Sequence, residues 1–142
     1  MTEEAENVIT KAYRIASVAH WNQRDKQEKL YIWHPLRVAQ ALKDESHVVI
    51  AVAFLHDVLE DTDSTKEDLE AGGIPQEVIE AVEALTRDKG NETHVQYIER
   101  VADNEIARKV KVADLNDNLA RWTEDLGEGL RDRYLAALAR LQ

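Results

Sequence analysis

The chain has no cysteine among its 142 residues. That excludes a disulfide framework, a zinc–thiolate site and a cysteine nucleophile, and it fits a reducing cytoplasm, the compartment expected. Proline occurs twice and glycine five times, too few for a turn-rich β fold. The longest apolar run, Val48 to Leu55, is far too short to span a bilayer. The amino terminus, MTEEAENVIT, is acidic and polar and does not read as a signal peptide. Basic side chains are also in deficit: 18 Lys and Arg against 28 Asp and Glu leave a net charge of −10. Non-specific binding to DNA, RNA or an anionic membrane is therefore not expected. What remains, 44% hydrophobic and 32% charged residues, is the composition of a soluble globular chain. Residues 1–142 are read as one domain with a core of its own.

The charge is unevenly placed. Residues 11 to 43 hold seven basic side chains (Lys11, Arg14, Arg24, Lys26, Lys29, Arg37, Lys43) and two acidic ones (Asp25, Glu28). This local excess of +5 leaves −15 for the rest. Lys11, Arg14 and Lys43 read as solvated surface charge; Lys26 reads as part of an arm that could hold an anion.

Helical periodicity runs through most of the chain. Val8, Ile9, Ala12, Ile15, Ala16 and Ala19 predict a first helix over 3–20. Residues 22–31 are polar and aperiodic, a loop. Pro35 belongs in the first turn of a second helix reaching about Lys43, and it should push His34 out of the α region. Ser46 can cap a third helix whose body, VVIAVAFLHDVL, is apolar on every side and so belongs at the centre of a bundle. Thr65 and Asp68 form a capping box for a short helix ended by Gly72–Gly73. Pro75, then residues 93–102, 104–122 and 130–141, begin or span the others. The expected fold is all-α, a compact bundle of about seven helices.

Four side chains stand out chemically: His34 in YIWHPLRVA, His56 and Asp57 in FLHDVLEDT, and Asp114 in VKVADLNDN. Two imidazoles and two carboxylates suit a divalent transition metal such as Mn²⁺ or Fe²⁺. Consecutive helical residues point about 100° apart, so His56 and Asp57 can share one ion only beside a helix end. Glu60 and Asp61 follow within a turn. Acids at a helix C-terminus oppose the macrodipole, which points to a use, here proton handling beside the metal. Asn118 lies one turn after Asp114, and Lys111 three residues before it, on a shared face suited to a ribose or phosphate oxygen. The three tryptophans, Trp21, Trp33 and Trp122, are expected to pack, and His47 and His94 to lie on the surface.

The segments HWNQRDKQEKLYIWHP, HDVLEDTDST, Leu85–Thr86 and VKVADLNDN resemble the HD-domain metal-dependent phosphohydrolases. Within them they resemble most the hydrolase domain of RelA/SpoT homologues and the small alarmone hydrolases, from about His20 to Asn118. The resemblance implies the HD-domain fold and removal of the 3′-diphosphate from (p)ppGpp. It also implies one metal, usually Mn²⁺, on His34, His56, Asp57 and Asp114, with Glu60 and Asp61 catalytic. Lys26 aligns with a lysine that faces the substrate diphosphate; His20 matches a histidine read as support for the site, and Tyr31 is read as supporting the loop. The chain departs from the family at Asp25, where an arginine is usual and Arg24 stands one residue early, and at Leu115, where a basic residue is usual. On this reading an anion has replaced a cation beside the phosphates, and Asp25→Arg should improve the binding of ppGpp. Two other readings follow from these departures: an HD-type nucleotidase acting on another nucleotide, and a nucleotide-binding regulator with low turnover. The partner expected is a small nucleotide. A chain of this length has no room for a synthetase domain, so hydrolysis without synthesis is expected.

Overall fold

The computed structural model describes residues 1–142. Its elements are α1 (Glu3–Ala19), α2 (Trp33–Ala41), α3 (His47–Leu55), α4 (Val58–Asp61), α5 (Lys66–Ala71), α6 (Gln76–Ala84), α7 (His94–Ala102), α8 (Glu105–Ala120) and α9 (Glu128–Leu141), with a 3₁₀ turn at Glu124–Leu126. The all-α expectation holds. The count is nine rather than about seven, and one of the additions comes from the third helix, which breaks in two. No helix is long and apolar enough to cross a membrane.

The helix starts follow local chemistry. Ser46 caps α3 by accepting from Val49 N–H at 3.3 Å. Thr65 and Asp68 form the predicted capping box on α5, and Thr93 with Gln96 forms another on α7. Each satisfies N–H groups that the first turn leaves without a partner. After α5 the chain turns at Gly73, whose φ of +82° favours glycine.

Helix α3 lies at the centre, packed by α1, α2, α6 and α8. Every residue from Val48 to Leu55 is buried, as a helix without a polar face requires. Leu115 is also buried, at 1% exposure, in this core, so it faces away from the site, and a basic side chain there would have no solvent. One sequence expectation fails. His34 lies inside α2, one residue past its start. The steric bias that Pro35 imposes yields here, because prolines in the first helical turn sacrifice no intrahelical hydrogen bond.

Candidate functional site

The break between α3 and α4 creates the site. In an unbroken helix the Ala53 carbonyl would accept from Asp57 N–H. Here it accepts from His56 Nδ1 at 2.7 Å. His56 ends α3 and Asp57 precedes α4, so both side chains turn toward one point. Glu60 and Asp61 then lie in the new helical turn of α4 rather than on the fraying end of α3.

His34 from α2 and Asp114 from α8 complete the group. One ligand atom from each of His34, His56, Asp57 and Asp114 lies within 4.8 Å of every other. His34 Nε2 is 2.7 Å from Asp114 Oδ1 and 3.3 Å from His56 Nε2. His56 Nε2 is 3.1 Å from Asp57 Oδ2 and 3.3 Å from Asp114 Oδ1. Both ring orientations are fixed from behind. His56 Nδ1 donates to Ala53 O, and His34 Nδ1 donates to Asp117 Oδ2 at 2.7 Å. Each imidazole therefore presents Nε2 to the centre, the arrangement that metal-binding histidines use. Asp117 is itself clamped by Arg37 through Nε at 2.8 Å and Nη2 at 3.1 Å.

The electrostatics show a demand for positive charge. Burial opposes protonation of His34, yet its hydrogen bonds to Asp114 and Asp117 prevail and hold its pKa at about 9. Burial likewise opposes protonation of His56, and the charge of Asp57 lifts it well above the usual value. Burial would raise Asp57, but the His56 charge pulls it down to about 2. Protons on the imidazoles supply the charge that two buried carboxylates require. A divalent cation would supply it in their place and displace those protons. The donor set, its convergence and the fixed Nε2 positions thus fit a transition metal.

Around this centre lies a cavity of about 530 Å³. Six basic residues line it (Arg24, Lys26, Lys29, Arg37, Lys111, Arg121), with six acidic ones (Asp25, Asp57, Glu60, Asp61, Asp114, Asp117). In a chain of net charge −10 this surface is locally balanced before any metal is counted. All ten residues named as ligands, proton carriers or substrate contacts border the cavity except His56, which lies beneath it.

Their contacts differ. Lys111 Nζ donates to Asp114 Oδ2 at 2.9 Å, and Asn118 Nδ2 to Asp114 Oδ1 at 3.4 Å. Both therefore steady a carboxylate of the centre. Glu60 Oε1 accepts from Arg87 N–H at 2.8 Å, which ties the α6–α7 loop to the site. Burial, then the charges of Asp57 and Glu60, push Asp61 up to about 6. Arg24 and Lys26 stand exposed at the rim, on the loop before α2.

Four further residues contribute, and the sequence assigned supporting parts to two of them, Tyr31 and His20. Tyr31 donates to Asp57 Oδ2, with Asp61 Oδ2 3.5 Å from the same hydroxyl, and burial with the Asp57 charge drives its pKa far up, so its proton stays. His20 is buried, bonded through Nδ1 to Gln23 at 2.8 Å, and stacks at 4.9 Å on Tyr31. Asp117 and Arg37 are the others. Their only signal was spacing: Asp117 is three residues after Asp114, and Arg37 three after His34. The tryptophan expectation holds for Trp122, whose Nε1 donates to Gly127 O. It fails for Trp21 and Trp33, which are 78% and 55% exposed. Trp33 borders the cavity. His94 and His47 are half-buried rather than surface residues, and burial lowers His94 to about 4.

Over 132 residues the chain is 36% identical to guanosine-3′,5′-bis(diphosphate) 3′-pyrophosphohydrolase MESH1 of Danio rerio, a match covering 86% of this chain and 73% of that protein. It is 40% identical over 81 residues to guanosine-3′,5′-bis(diphosphate) 3′-pyrophosphohydrolase of Aquifex aeolicus (strain VF5); there the match covers 56% of this chain and 12% of the relative. A solved structure, described as a metazoan orthologue of SpoT that hydrolyses ppGpp and plays a role in starvation responses, superimposes with a TM-score of 0.81 at 29% identity. That match covers 95% of this chain and 85% of the other. No family model matches the chain.

Proposed function

The chain belongs to the guanosine-3′,5′-bis(diphosphate) 3′-pyrophosphohydrolase family, and from that premise we propose that it is a Mn²⁺-dependent hydrolase removing the 3′-diphosphate of (p)ppGpp. The observation that carries this reading is the convergence of two imidazole nitrogens and two carboxylate oxygens within 4.8 Å at the floor of a cavity rimmed by cations.

His34, His56, Asp57 and Asp114 would hold the ion. When bound, it supplies Lewis acidity toward water and the phosphoryl group. The remaining work falls to the protein. Lys26 and Arg24 at the rim hold the anionic phosphates. Lys111 and Asn118 fix Asp114 through the hydrogen bonds described above, and their remaining donor capacity faces the cavity. Asp61, which borders the cavity beside Asp57, would take a proton from the attacking water and return one to the departing 3′-oxygen. Glu60, tied to Arg87 N–H by one oxygen, keeps the other for orienting that water. Water adds to phosphorus, the bond to the 3′-oxygen breaks, and a 3′-hydroxyl and pyrophosphate leave.

A substrate panel tests this: ppGpp, pppGpp, their adenine analogues and nucleoside monophosphates, each with metal-stripped protein and added Mn²⁺, with products identified. The expected result is pyrophosphate from the guanosine 3′-diphosphates, absent without metal. Turnover confined to monophosphates would make the chain an HD-type nucleotidase. Binding without turnover would make it a regulator.

A further inference from the structure

Asp25 stands where a cation is usual in the basic arm, and its surroundings give a different account of it. Asp25 N–H donates to Lys29 O at 2.8 Å, and Glu28 N–H donates to Asp25 O at 3.0 Å. One side-chain oxygen, Oδ1, accepts from both Gln27 N–H at 2.8 Å and Lys29 N–H at 2.9 Å. Within this turn Glu28 adopts a φ of +64°, which a non-glycine side chain holds only when its surroundings enforce it. Arg24 and Leu30 close the hairpin as an isolated bridge. Gln27 Nε2 fastens it to Arg121 O at 3.4 Å and Thr123 Oγ1 at 3.2 Å. Lys26 and Lys29 flank the turn, exposed and bordering the cavity.

We propose that Asp25 is a positioning residue for substrate: its carboxylate folds the 24–30 hairpin and so sets where Lys26 and Lys29 meet the phosphates of an anionic nucleotide. The proposal rests on the phosphohydrolase reading for its substrate. Two backbone N–H groups converge on Oδ1, an aspartate-type turn. An arginine has five donors and no acceptor, so it cannot replace that oxygen, and the charge it brings comes with a disordered arm. The expectation drawn from sequence, that Asp25→Arg improves binding, is thereby reversed.

The test compares Asp25→Ala, Asp25→Arg and Asp25→Asn in the full chain with Mn²⁺. Asparagine keeps an acceptor oxygen at the same place without the charge. Asp25→Ala and Asp25→Arg should raise KM for ppGpp on the order of tenfold, the scale of one lost charge-assisted hydrogen bond. Turnover at saturation should largely remain, because the proton carriers sit on α4 and the proposed metal ligands on other elements. Asp25→Asn should recover most of the loss. Without substrate, a lysine-specific protease should cut at Lys26 and Lys29 faster in the alanine and arginine variants than in the asparagine variant. A lower KM for Asp25→Arg overturns the proposal, and so does an asparagine variant no better than alanine. Failure of the functional reading shows separately, as wild-type protein releasing no pyrophosphate from ppGpp. The same order of variants is then expected in affinity for inorganic pyrophosphate, and a different order overturns the proposal there too.

Discussion

At the residue scale the site depends on side chains placed behind the converging four. Asp117 takes the Nδ1 proton of His34 and is held by both nitrogens of the Arg37 fork. A carboxylate behind a histidine ligand fixes the ring and strengthens it as a donor. Asp117→Ala should weaken Mn²⁺ binding by roughly 10- to 100-fold, read by calorimetric titration, whereas His56→Ala and Asp57→Ala should abolish it. Affinity unchanged in Asp117→Ala would remove the bracing role. The proposed proton carriers can be separated from the proposed ligands with a second pair of variants. Glu60→Gln and Asp61→Asn should retain the metal, and at least one should lose roughly two to four orders of magnitude in turnover. Full activity in both would point to proton transfer elsewhere. The four side chains that converge, His34, His56, Asp57 and Asp114, were legible in the sequence because each sits in a distinctive local string. Asp117 and Arg37 were not, because what they do depends on which faces of α2 and α8 meet, and a single chain does not show that pairing.

At the scale of elements, helix types and most boundaries were legible, since capping residues and apolar period act locally. The break after Leu55 was not. Through VVIAVAFLHDVLED the apolar pattern is continuous, and the interruption comes from a side-chain hydrogen bond, His56 to Ala53 O, that replaces a backbone one. The end of α6 shows the same kind of long-range capping. Arg100 on α7 donates to the carbonyls of Glu83, Ala84 and Thr86, and Tyr97 Oη donates to Leu85 O at 2.7 Å. Ala84 and Leu85 are at the end of α6, where a helix leaves its carbonyls without intrahelical partners. Arg100→Ala should cost roughly 1–3 kcal/mol, measured by urea denaturation, and should loosen the loop that carries Arg87 to Glu60. Arg100 is held in turn by Glu92 at 2.8 Å, and that hydrogen bond depresses the Glu92 pKa from 4.5 to about 2. A depressed carboxylate adds stability above its unfolded pKa and loses it as pH falls through the folded one. The stability gap between wild type and Glu92→Gln should therefore be full near neutral pH and close between about pH 4.5 and pH 2. A constant gap would mean that the Glu92 charge is not what stabilises.

At the scale of the whole molecule the question is how a chain of net charge −10 would attract the polyanion proposed as its substrate. The composition alone argues for repulsion. The answer lies in distribution: residues 11–43 carry an excess of +5, and the hairpin before α2 brings Arg24, Lys26 and Lys29 to the cavity rim. Charges beyond about 8–10 Å are screened at physiological salt, so a substrate at the rim responds chiefly to the near cations. The distant acidic surface matters chiefly at low ionic strength, where screening is weak. The two contributions have opposite salt dependence. If the rim dominates, kcat/KM for ppGpp should fall as salt rises, because screening weakens an attraction. Removing two rim cations with Lys26→Ala and Lys29→Ala together leaves the acidic remainder in control. In that double variant kcat/KM should be lowest at low salt and rise as salt screens the repulsion. Steady-state kinetics across a salt series at fixed Mn²⁺ would read both slopes. A wild-type kcat/KM that rises with salt would show that the arm does not govern capture. A double variant that keeps the wild-type slope would place the attracting charge elsewhere in the cavity, with Arg37 and Arg121 the next cations to test.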